Sequence, residues 1–305
     1  MKLADVPPWL WIVFTCIAAL SQTFRNAMQR SLTTRLGTVG ATHVRFLFGL
    51  PFACLFIALM LAVVERPRAL QFGATFWGWV VTGGLTQIVA TALMLAAMQL
   101  RSFTVATAYV KSEPVLVAVM GFVFLGDAIG VVAVLAIVIA TVGVVLMSVS
   151  GAPAQAGESR LKPALFGISA GAVFALSAVG FRGAVIALGD DPFYLRAAVA
   201  LVIGLTIQSV VLSGWLLARS PGTLAEIFKA WRPSMTAGAL GSFASLCWFI
   251  AFALQTAALV RTVALVEILF AQAISRKLFA QRSSLGETVG ILLVVAGVAV
   301  LLLAA

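Results

Sequence analysis

Two acids stand apart from the other eight in this chain of 305 residues. Asp5, Glu65, Asp127, Glu158, Asp190, Asp191, Glu226 and Glu287 fall at the ends of apolar segments or between them. Glu113 falls near the middle of one such segment, and Glu267 lies about two turns into another. A carboxylate that deep in an apolar segment either pairs with a buried cation or exchanges a proton or contacts a substrate. Lys111 precedes Glu113 by two residues, which is roughly 200° around a helix, so the two do not face each other. Lys111 therefore needs another partner, a wet cavity, or a long reach to an interface. Pro114 cannot donate to the helix ladder and predicts a kink beside Glu113. Tyr109, in the same run Tyr109-Val110-Lys111-Ser112-Glu113-Pro114, is a candidate cavity-lining residue.

Four arginines form a second set: Arg25, Arg45, Arg182 and Arg196. Each is a candidate gate or mouth residue that attracts an anionic group. Each is equally readable as an interfacial anchor or as a partner for helix C-terminal carbonyls. Gln99 and Gln255 close their segments and are candidates for hydrogen bonding a substrate or for ending a helix. Arg261 and the Arg276-Lys277 pair lie near segment ends and read as snorkelling cations. His43, the lone histidine, reads as a satisfied interfacial residue. Cys16, Cys54 and Cys247 have no ligand or redox spacing and read as small core residues.

The elements that must position these residues follow from composition. Hydrophobic residues make up 62% of the chain and charged residues 10%, and mean hydropathy is +1.13. A soluble domain is about 25% charged, so this surface must face something other than water. That excludes a soluble enzyme, a disordered chain and a conventional nucleic-acid binder. The net charge of +10 comes from basic residues scattered at segment ends, the ordinary flanks of membrane spans. Trp9, Trp11, Trp77 and Trp79 near segment ends fit an interfacial belt.

Ten apolar segments are visible: 9–29, 40–64, 74–98, 103–124, 130–150, 163–188, 193–218, 234–257, 260–280 and 285–305. A membrane helix needs about 20 residues, so ten spans use most of the chain. The segments are too long and continuous for barrel strands of about ten residues. The first reads as an uncleaved span, not a signal peptide. Residues 151–162, GAPAQAGESRLK, read as a linker between two sets of five.

The two sets repeat. Phe24-Arg25-Asn26-Ala27 recurs as Phe181-Arg182-Gly183-Ala184, and Arg45 as Arg196. Ala97-Met98-Gln99 recurs as Ala253-Leu254-Gln255, Glu113 as Glu267, and Gly143 as Gly297, with offsets from 151 to 157. Because five is odd, the second set enters the membrane from the opposite side. The expectation is an all-α integral membrane protein of ten transmembrane helices in two inverted repeats, 9–150 and 163–305, with a substrate site near the midplane. Gly167/Gly171 and Gly286/Gly290 permit close helix contact within the chain or between copies.

Zinc-protease, Walker-type and Cys/His signatures are absent from the sequence, so neither metal nor cofactor is expected. A Ser–His dyad is disfavoured by the position of His43. Ten segments in two sets, the early arginine in the second segment of each set, and Glu113-Pro114-Val115 through Phe124-Leu125-Gly126-Asp127 resemble the EamA-type branch of the drug/metabolite transporter superfamily. Asp127 stands where that family has Glu. In segment 260–280 Ile268 stands where Pro114 has its match, which implies that the kink is lost there. Lys111, Glu113 and Glu267 are not part of the general family pattern.

The resemblance implies a non-enzymatic secondary transporter, often an exporter of metabolites or drugs, in a bacterial inner membrane. The small-molecule substrate would be amino-acid-like, zwitterionic or anionic, and protons could drive it. The alternatives are an uncoupled facilitator or a lipid-modifying membrane enzyme. Orientation is in conflict. Arg30, Arg35, Arg101, Arg160, Lys162, Arg219, Lys229, Arg232, Arg276, Lys277 and Arg282 follow odd-numbered segments, whereas Lys2, Arg66, Arg68 and Arg261 lie on the other side. The positive-inside rule then places both termini outside, and the resemblance places both inside.

Overall fold

The computed structural model describes residues 6–63, 70–100, 106, 109–111, 113–150, 161–268 and 285–304. Most of the linker, Arg276 and Lys277, the start of segment 103–124 and the end of segment 260–280 lie outside the described residues. The described residues are helical throughout, without strands. The helices are α1 (Leu10–Leu47), α2 (Leu50–Val63), α3 (Ala74–Leu100), α4 (Glu113–Leu125) and α5 (Val131–Ser150). Then come α6 (Leu161–Ala187), α7 (Phe193–Arg219), α8 (Pro221–Lys229), α9 (Trp231–Leu254), α10 (Ala257–Val263) and α11 (Leu285–Ala304).

Among the described residues five helical stretches are long and apolar enough to cross a membrane, and three shorter apolar helices accompany them. The first long stretch, Leu10–Ala62, has 53 residues, about twice what one crossing needs. It breaks at Gly37, where φ is 67° and ψ 175°. Only glycine occupies that region without strain. The residues around Gly37 contain no proline, so the chain stays helical on both sides. The polar gap expected between segments 9–29 and 40–64 is therefore a single-residue break. A second interruption falls before Pro51, which sits in the first turn of α2, where its missing N–H costs no hydrogen bond.

α4 ends in a Schellman motif. Gly126 has φ 68°, and the Asp127 amide donates to the Gly121 carbonyl at 3.1 Å. This cap fixes the direction in which Asp127 leaves the helix.

The helices pack most extensively in three pairs: α3 with α6, α1 with α9, and α5 with α11. Glycine lets the backbones touch. A Cβ on Gly180 of α6 would lie 2.7 Å from the Gly83 nitrogen of α3. One on Gly143 of α5 would lie 2.6 Å from the Gly290 carbonyl of α11, and one on Gly297 would lie 2.7 Å from the Ala136 carbonyl. The glycine spacing thus serves packing within the chain, as van der Waals contact between membrane helices requires. Large apolar side chains point outward instead: Phe122, Val123 and Phe124 on α4, and Leu135 and Leu292 on the outer faces of α5 and α11, are exposed. Such a belt suits lipid.

α8 was not legible as a separate element. Its Ile227 is buried, and Glu226 pairs with Arg35 at 3.1 Å and with Lys229 at 2.7 Å. Hydrogen bonds from Lys229 and Arg35 hold the Glu226 carboxyl below its usual range.

Replacing Gly37 by Ala should destabilise the protein by about 1–3 kcal/mol, because nothing surrounds the position but its backbone is forbidden to Ala. Gly78→Ala, equally open but helical, should leave the detergent-solubilised melting temperature unchanged or raised. Equal loss in both variants would show that Gly37 is not a strained hinge.

Candidate functional site

The two segments that carry the mid-depth acids are both interrupted beside them. Glu113 opens α4, Pro114 occupies its first turn, and Lys111 lies in a turn just before it. A proline so placed begins a helix and bends none, so the kink expected within segment 103–124 is a helix start. α10 ends at Val263, and hydrogen bonding then tightens. The amides of Leu265, Glu267 and Ile268 donate to carbonyls three residues earlier, at 3.0, 3.0 and 3.1 Å. These bonds form a turn at residues 264–265, after which residues 266–268 are helical again. The interruption expected to be lost with Ile268 is present without a proline.

These interruptions let the acids face a small cavity of about 20 Å³, room for a water molecule, whose walls include Asn26 and Arg45 of α1 and Gln87 of α3. Lys111 and Glu113 line it from one side, and Trp248 of α9 with Arg261 and Glu267 from the other. Lys111 Nζ lies 2.5 Å from Glu267 Oε2, and Arg261 Nε lies 3.0 Å from Glu113 Oε1. All four side chains are buried. Each pair joins a residue of the first half of the sequence to one of the second. The pairs are not images of one another. The position matching Lys111 is Leu265, and that matching Arg261 is Thr107.

Further contacts fix the charged groups. Gln22 Nε2 donates to Glu267 Oε2 at 3.3 Å, and its Oε1 accepts from Trp248 Nε1 at 3.0 Å. The Arg261 guanidinium sits 4.4 Å above the Trp248 ring and 5.4 Å from that of Phe252. Arg261 N–H does not point at Glu113, since neither Nε nor Oε1 has a directed hydrogen bond. The pair is held by charge and by the aromatic face. Arg261 is therefore no snorkelling cation; α10 is only seven residues long and ends inside the protein.

The four arginines divide. Arg182 is clamped: Nε and Nη2 lie 2.8 and 2.9 Å from the two Asp127 oxygens, and Nη1 donates to the Phe252 and Gln255 carbonyls at 2.6 and 2.5 Å. It closes the C-terminus of α9. Arg196 donates to the Val185 carbonyl at 3.3 Å, and Asp190 and Asp191 are within its electrostatic reach. Arg25 and Arg45 are buried and lie by the cavity. Arg45 touches Thr91 and Ser245 hydroxyls at 3.3 Å each, and Arg25 donates to Asn26 at 2.6 and 3.2 Å.

The remaining candidates lie outside the cavity wall. Tyr109 packs on Gly167 of α6. Gln99 is exposed and donates to Thr38 at 3.1 Å, beside the Gly37 break. Gln255 caps α9, and its Oε1 accepts from the Thr256 amide at 2.8 Å. His43 is fully buried against Ser213, 3.0 Å away, rather than at an interface. The three cysteines are free. Gln22, Asn26, Gln87 and Trp248 had no distinguishing signal, because polar residues within apolar segments are numerous and only their convergence marks them.

Residues 9–149 match the model of the EamA-like transporter family. Over that stretch, just under half of the chain, the protein is similar to this family, which is part of the drug/metabolite transporter superfamily. The match and the apolar helices together are those of a multi-pass membrane protein. A comparison with curated proteins gave no match. One solved crystal structure is similar over 97% of this chain and 96% of its own, with a TM-score of 0.69 and 16% identity. At that identity the likeness is one of fold alone.

Lys111→Met should cost about 3–5 kcal/mol, because it strands the Glu267 carboxylate in the interior. The double variant Lys111→Met/Glu267→Met should recover most of that loss. Chemical unfolding of the purified protein in detergent checks both, and a double variant no better than the single would mean the pair is not the relevant contact.

Proposed function

We propose that this protein is a proton-coupled secondary transporter that moves a small zwitterionic or anionic metabolite outward by alternating access. Its ten spans form two inverted repeats, 9–150 and 163–305, in a bacterial inner membrane. Support for the repeat comes from the helix pairing. Exchanging the first segment of each half, and likewise the third, turns the α1–α9 pair into the α6–α3 pair, and the α5–α11 pair maps onto itself. Such halves can exchange shapes, which opens one midplane cavity to either side.

The observation that carries the reading is the crossing of the two ion pairs. Lys111 with Glu267, and Glu113 with Arg261, tie the two halves together at the cavity. Protonating either carboxylate removes its charge and releases the cation opposite. The freed cation then faces the cavity, where a substrate carboxylate can meet it. Deprotonation restores the cross-half pair and displaces the substrate. Proton movement and substrate movement become alternatives at one site, the requirement for exchange. The Arg182–Asp127 clamp, tied to the end of α9, acts in this scheme as the closed gate on one side.

Glu113→Gln and Glu267→Gln should each reduce gradient-driven transport in everted vesicles or proteoliposomes by about tenfold or more, while counterflow without a gradient persists. If both leave gradient-driven transport intact, the carboxylates do not couple. Flux insensitive to the gradient in the unmodified protein would instead favour an uncoupled facilitator.

A further inference from the structure

Six ionic side chains gather around the cavity. Three cations, Arg45, Lys111 and Arg261, and two carboxylates, Glu113 and Glu267, line it, and a fourth cation, Arg25, does not line it but lies beside Arg45 at Gly241. The two carboxylates are occupied by Lys111 and Arg261. Glu267 is within electrostatic reach of Arg25 but is held by Lys111. Two positive charges are left over. Among the described residues Arg25 and Arg45 have neutral partners only: Asn26, Thr91 and Ser245. Both are at least nine-tenths buried, at 1% and 2% exposure. Arg25 Nη1 and Arg45 Nε have no hydrogen-bond partner. Burying an uncompensated charge is costly, and each of these two is also repelled by Arg261.

The repeat makes the imbalance specific. Arg182, the match of Arg25, has Asp127, and Arg196, the match of Arg45, has Asp190 and Asp191 nearby. Asp127 follows Glu113 by 14 residues, and the residue 14 after Glu267 is Gln281. One pair of arginines is thus neutralised by the protein and the other is not. Gly241 of α9 makes room for the open pair. A Cβ there would lie 3.1 Å from both Arg25 Cδ and Arg45 Cγ, so the two stems flank one glycine. Arg45 lines the cavity, and Arg25 is joined to it through Asn26, a lining residue that accepts its hydrogen bonds.

We propose that Arg25 and Arg45 form a binding site for a small organic dianion whose charges offset theirs. This names the substrate class for the transporter reading and rests on it. A guanidinium pair suits two carboxylates or one phosphate monoester, because each offers oxygens that accept paired N–H donors. Asn26, Thr91 and Ser245 set the guanidinium planes.

The test is binding to the purified full chain in detergent, which needs no gradient. Probes are succinate and glycerol 3-phosphate, with butyrate, glycerol and leucine as monoanionic, neutral and zwitterionic controls. At least one dianion should raise the melting temperature and bind about tenfold or more tightly than every control. Succinate alone responding assigns a dicarboxylate, and glycerol 3-phosphate alone a phosphate ester. Arg45→Gln should weaken that binding about ten- to hundredfold. Ser245→Asp guards against misfolding, since it supplies a carboxylate beside Arg45. It should fold at least as stably as the natural chain and lose the dianion response. No dianion response, a response matched by butyrate or leucine, or a Ser245→Asp variant that binds normally would each overturn the assignment. Gradient-driven flux persisting without dianion binding would overturn it and leave the transporter reading standing.

Discussion

A charge cannot lie unpaired in an apolar interior without large cost, and this constraint organises the middle of the molecule. Lys111, Glu113, Arg261 and Glu267 are all buried, so none can discharge its field into water. Each carboxylate takes its cation from the other half of the sequence. These two ties between the halves, added to the helix packing of α3 with α6, α1 with α9 and α5 with α11, are ionic only while both acids are ionised. The contact that supplies cohesion is therefore also the contact that a proton can break. Trp248 adds a neutral restraint, because it holds Arg261 by its ring face and Gln22 by its indole N–H. Arg261 is positioned even when Glu113 is not charged.

Placing these four side chains together requires backbone that ordinary helices do not supply. The turn before α4 and the turn after α10 bring Lys111 and Glu267 to face each other from interrupted segments. Two interrupted segments around a midplane site are a recurring transporter solution, because freed backbone is tolerated where it lines a cavity. The glycine contacts act one layer further out. Gly83 with Gly180, and Gly143 with Gly290, bring helix axes close and leave their bulky residues to face outward. Close packing outside and interruption inside leave an opening that polar side chains can share.

Much of this was legible in the sequence, for a physical reason. Apolar length marks membrane segments independently of tertiary context, so Ala74, Phe193 and Leu285 were placed as helix starts without a structure. Glu113 and Glu267 were legible because a charge deep in an apolar run is expensive wherever the fold puts it. Their partners were not. Arg261 looked like a segment end because α10 is short and terminates inside the protein. Lys111 was recognised as unable to face Glu113, but nothing local could name Glu267 as its partner. The Gly37 break was also missed, since a helix that resumes after one residue has no polar gap. Ile268 misled in the opposite direction. Proline is one way to interrupt a helix, and a switch to i,i+3 hydrogen bonding is another that leaves no signature in side-chain type.

The four arginines show what a duplicated sequence conceals. Matching positions carried the same residue, so a common role was the natural expectation. The carboxylates around them differ instead. Arg182 is satisfied by Asp127 and two helix-terminal carbonyls, which engage all three of its nitrogens and four of its five N–H donors. Arg25 has Asn26, which accepts without neutralising. In the proposed transporter of two related halves a substrate still needs to bind at a defined place, and a symmetric charge set would bind equally at two. Losing the acid at one of two related positions breaks that degeneracy without altering the helix framework. On this view the first-half arginines attract and the second-half arginines hold, and the difference lies in a few positions, Asp127 against Gln281 and Asp190-Asp191 against Val39-Gly40.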